Sequence, residues 1–69
     1  MQLTDEDITA YIKAVNETAR ERMAKLGTED IGAFLMGAAV FLNHSGHWDK
    51  LPASWVFGTM SGRYDWLEK

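Results

Sequence analysis

Polar and apolar positions along the first third of the chain recur at helical spacing. Ile8, Tyr11, Ile12, Val15, Ala19, Met23 and Leu26 share one narrow face, and Lys13, Glu17, Arg20 and Glu21 fill the opposite one. This period predicts a helix over residues 4–26. Thr4 supplies the N-cap, and Asp5, Glu6 and Asp7 put negative charge where the helix dipole favours it. Asp7 stands at the capping-box position in place of the preferred Glu, and Leu3 with Ile8 makes a hydrophobic staple. Glu21 and Lys25 sit in the favourable i,i+4 order, and Gly27 reads as a left-handed stop.

The pattern then gives way to the run IGAFLMGAAVFL, Ile31 to Leu42, without one polar side chain. The run is too short for a bilayer, which takes about 20 apolar residues. A helix that is apolar all round must be covered on every side. Thr28 as N-cap, followed by Glu29 and Asp30, predicts a second helix over 28–43 with a tight corner at Gly27. Ile31, Phe34, Leu35, Ala38, Phe41 and Leu42 share the face expected to meet the first helix. Ala33, Met36, Gly37 and Val40 lie opposite, mostly small enough to let another backbone come close. That side reads either as a self-association face or as the bed for the chain's own C-terminal segment.

Residues 43–47 form a polar loop, and Pro52 holds Leu51 extended while suiting the first turn of a new helix. The segment after Pro52 has two readings. As a helix over 52–67 it sets Val56, Phe57, Met60, Tyr64 and Leu67 on one side, with Trp55, Gly58, Thr59, Gly62 and Trp66 on the other. As a β-hairpin it turns at Ser61-Gly62. Two glycines weaken the helix by roughly 1 kcal/mol each. Trp55-Val56-Phe57 does not alternate, however, and Ser-Gly is a poorer hairpin turn than Asn-Gly. The preferred fold class is therefore all-α, a single domain over 1–69 with a tight hairpin of helices 1 and 2; the alternative is α+β, two helices and a C-terminal β-hairpin.

Composition sharpens this picture. Chains of this size rarely hold more than about 3–5 kcal/mol without a staple. With 69 residues and no cysteine, disulfides and thiolate zinc sites are excluded, which leaves oligomerisation or a bound partner as the support. A net charge of −3 without a basic tract argues against nucleic acid. The acidic start lacks the pattern of a signal peptide, so the expected location is the cytoplasm, and no membrane attachment is expected.

Candidate chemistry is sparse. His44 and His47 with Asp49 nearby form the one arrangement suggesting a metal, and a divalent ion needs a further ligand from elsewhere. Ser45, Ser54 and Ser61 lie in no nucleophile elbow, and the acidic clusters are explained by helix capping. No enzyme, cofactor or metal site is expected. Three Trp are a large share of so short a chain, and Trp, Tyr and Arg dominate binding hot spots. Trp48, Trp55, Arg63, Tyr64 and Trp66 are thus the expected partner-binding residues, Trp55 and Trp66 flanking a trough floored by Gly58, Thr59 and Gly62. The bland alternative is that the Trp rings close the core. The expected function is non-enzymatic protein–protein interaction: a small regulator or inhibitor of a larger protein, of the kind phages and mobile elements encode, working as a homodimer. A structural assembly subunit or a metal protein using His44 and His47 stands as the alternative.

Overall fold

The computed structural model describes residues 3–68, with side chains through Leu67. Three helices follow in order, α1 (Asp5–Leu26), α2 (Ile31–His44) and α3 (Ala53–Ser61), with 3₁₀ turns at Trp48–Lys50 and Asp65–Glu68. Among the described residues there is no strand, so the tail is not a hairpin. At about 1.5 Å per residue, the 22 residues of α1 run the full 34 Å length of the molecule. α2 folds back along α1, α3 packs on α2, and the last 3₁₀ turn returns to α1.

α1 starts as its sequence dictates. The Thr4 hydroxyl accepts from the Asp7 amide at 3.1 Å, and the Asp7 carboxylate accepts from the Thr4 amide at 3.0 Å. Ile8 is buried and Leu3 packs against the core, as a staple requires. α1 ends at Gly27, whose φ of 80° is open to glycine, but whose ψ of −165° is extended rather than left-handed helical. The corner then runs through residues 27–30, and α2 starts at Ile31, not Thr28. Asp30 is the N-cap without a side-chain bond, and the Thr28 carbonyl accepts from the Ile31 amide. Antiparallel helices need loops of about 2–5 residues to separate their axes, so a single-residue corner was too short.

The core is assembled from Ile8, Val15 and Ala19 of α1, from Ile31, Leu35, Ala38, Ala39 and Leu42 of α2, and from Trp55, Tyr64 and Leu67 of the tail. Leu26, assigned by period to the inner face, is 63% exposed at the end of α1, where the chain turns into the corner. Phe41 stays near the surface, its ring 4.7 Å from that of Tyr11. Ala39 is buried instead.

α3 stops at Ser61, well short of residue 67. Gly62 takes the left-handed conformation (φ 68°, ψ 25°), and the Arg63 amide reaches back to the Gly58 carbonyl at 3.0 Å. This six-to-one bond is the Schellman closure, and it turns the chain toward α1. There Leu67 is buried and its carbonyl accepts from the Arg20 guanidinium. At Gly32 the tail comes close to α2: a Cβ there would lie 3.1 Å from the Tyr64 hydroxyl and 3.2 Å from Thr59 Cγ2.

Candidate interaction surface

The structure sorts the expected partner-binding residues into three groups. Trp55 is 1% exposed, and its indole N–H donates to the Asn16 side chain at 2.7 Å, which ties α3 to α1. Tyr64 is buried as well. Neither presents a surface, so both are corrected from partner contacts to core. Trp66 is half-buried: its indole N–H donates to the Arg63 carbonyl at 2.9 Å, and its ring lies over Gly58, where a Cβ would stand 2.5 Å from Nε1. The trough expected between Trp55 and Trp66 does not exist, because one ring is inside and the other fills the space. Trp48, 54% exposed, and Arg63 remain at the surface.

The two sides of α3 are thus the reverse of the expectation. Trp55 and Gly58 face inward, while Phe57 and Met60 stand 68% and 79% exposed on successive turns. Burying large apolar side chains is worth about 1.5–3 kcal/mol each, so leaving both in water forgoes that gain. The sequence held only a partial signal for this orientation. A glycine inside a helix costs propensity and calls for a packing reason, which Gly58 has in the Trp66 ring and Gly37, with nothing within 4 Å, does not.

α2 presents the second surface. Ala33, Met36, Gly37 and Val40 are all exposed, and the C-terminal segment covers the other side of the helix. Met36 is 47% and Val40 50% exposed, forming a ridge one turn long. Beside it a groove of about 550 Å³ runs between α1 and α2, lined by Tyr11, Ala14, Val15, Thr18, Ala33, Phe34, Gly37 and Ala38. None of these side chains is charged at neutral pH. Partial burial raises the Tyr11 phenol above its ordinary value by removing water from the phenolate. The Arg22 guanidinium lies 5.0 Å over the Phe34 ring at the other end of the groove.

The histidine loop has local chemistry only. The Ser45 hydroxyl donates to the Leu42 carbonyl at 3.1 Å and lies 3.2 Å from His47 Nδ1. Among the described residues no group of three or more His, Asp or Glu is placed to hold a metal ion, so His44, His47 and Asp49 gain no further ligand. No described helix is long and apolar enough to cross a membrane. The Lys50–Asp5 ion pair, at 3.5 Å on the surface, is of the kind worth about 0–1 kcal/mol.

Comparison with family models, with curated proteins and with solved structures gives no match.

Proposed function

We propose that this chain is a non-enzymatic protein–protein interaction module, a small regulator or inhibitor that docks on a larger protein in the cytoplasm. The observation that carries the reading is the pair Phe57 and Met60, set on water-facing turns of the same short helix that commits Trp55 to the core. Large apolar side chains grouped on a surface mark contact sites. Arg63 follows directly beyond α3 and adds a cation near the same edge. Trp48 is a further exposed aromatic anchor. The size and acidic composition resemble those of phage- or mobile-element-encoded regulators, an analogy that suggests a host protein as target. A second copy of the chain is the other partner in this reading, seated on the open face of α2.

The test is a double variant, Phe57→Asp with Met60→Asp. Both side chains are exposed, so circular dichroism should match wild type. Affinity capture from the native cells, followed by mass spectrometry, should lose the protein that wild type retains. Capture of an unchanged set of proteins by the variant would remove α3 as the docking surface.

A further inference from the structure

We infer that the groove between α1 and α2 is a binding site for a medium-chain monocarboxylate, its alkyl body lying along the groove and its carboxylate on the Arg22 guanidinium. The site lies apart from Phe57 and Met60, so the inference goes beyond the docking assigned to α3 and does not depend on it.

Arg22 supplies the polar end. It stands one turn beyond Thr18, on the same line of α1 as Tyr11 and Val15. Its guanidinium lies 5.0 Å over Phe34, a ring of the groove wall. Nε is sealed from water and has no acceptor, so the group is held in place by packing and not by a hydrogen bond. Among the described residues Arg22 makes no ion pair either, although Glu29 and Asp30 follow in the corner just beyond α1. Arg20 shows the contrast, because its guanidinium is committed to the Leu67 carbonyl. A fixed cation without a partner is matched best by a carboxylate, which meets the planar fork with two parallel bonds. The two terminal nitrogens make them here, since Nε is covered.

The groove supplies the apolar part. Its volume of about 550 Å³ lies within the roughly 300–1,000 Å³ of small-molecule sites. The lining has no charge, and its only side-chain polar groups are the Tyr11 and Thr18 hydroxyls. Ala33 and Gly37 keep the trough open, and a Cβ built on Gly37 would meet nothing within 4 Å. From Tyr11 to Arg22 the helix advances about 16 Å at about 1.5 Å per residue. The site is therefore elongated, with its cation at one end. A compact anion such as phosphate would leave the trough empty, and an uncharged alkane would leave Arg22 unmatched. An alkyl chain with one carboxylate answers both.

Titration of the isotope-labelled full chain with sodium decanoate, below its micelle threshold, tests this through backbone amide shifts. The shifts should saturate with a Kd of about 0.1–1 mM and centre on Thr18, Phe34 and Gly37. Full burial of a methylene is worth about fourfold in affinity and an open groove covers about half of it, so octanoate should bind about fourfold more weakly. Arg22→Gln should weaken decanoate at least about fivefold. Octan-1-ol, which has no charge, should shift the same amides equally in wild type and in Arg22→Gln. Gly37→Leu fills the trough while removing a helical glycine, so helix content should hold or rise as decanoate binding is lost. Decanoate shifts centred on Phe57 and Met60, or unchanged binding in either variant, would overturn the inference. So would groove amides that respond to rising protein concentration and not to decanoate, which would give the groove to a second copy.

Discussion

Gly37 and Gly58 are both helical glycines, and adding a methyl group should do opposite things to them. At Gly58 the new Cβ would lie 2.5 Å from the Trp66 indole nitrogen and 2.8 Å from the Arg63 carbonyl, a backbone atom that cannot step aside. Gly58→Ala should therefore cost about 1–3 kcal/mol as overpacking. At Gly37 there is open space, so Gly37→Ala should raise stability by about 0.5–1 kcal/mol through helix propensity alone. Urea unfolding at low micromolar protein checks both signs at once. Tyr11 supplies a pH test. Its folded pKa is raised above the unfolded value by burial, so the neutral phenol is the form that folding favours. The associated stability is fully present below the ordinary tyrosine pKa of about 10. It is lost as pH rises through the folded pKa. Phenolate absorbance should show a titration step above the ordinary value, and Tyr11→Phe should remove that step.

At the scale of the elements, legibility followed the reach of the interactions. The α1 capping box closes within four residues, so Thr4 and Asp7 announce it and the structure contains both of its bonds. Thr4→Ala should cost about 1 kcal/mol and fray the first turn, seen as a lower unfolding midpoint with little change in the cooperativity of the transition. The start of α2 was misread because Thr28-Glu29-Asp30 carries capping chemistry without the spacing needed to turn between two packed helices. α3, at nine residues, is too short to persist on its own propensity. Its orientation is therefore set by what Trp55 and Gly58 meet across the fold, and no local period reports that.

At the scale of the molecule, eleven buried apolar residues make the core, and among the described residues no buried one is polar or charged. That is a small core, and a chain stabilised partly by pairing has a melting temperature that depends on concentration. Thermal unfolding of wild type should shift upward between about 5 and 500 μM, and Gly37→Lys should flatten the dependence. An unchanged wild-type midpoint over that range would leave the single chain as its own sole support.

The sequence by itself determined the helical class, the start and end of α1, the two-sided character of α2 and the break at Pro52. Each of these depends on neighbours within about two turns or on a composition that no partner can alter. Only the tertiary structure decided which side of α3 points inward, that Trp55 and Tyr64 belong to the core, and that Phe57 and Met60 do not. The reason is volume. One Trp ring, bonded to Asn16, is taken into the core, and a second closes on Gly58. Which large side chain takes a shared space depends on the shape of that space, and the shape exists only after the helices have met.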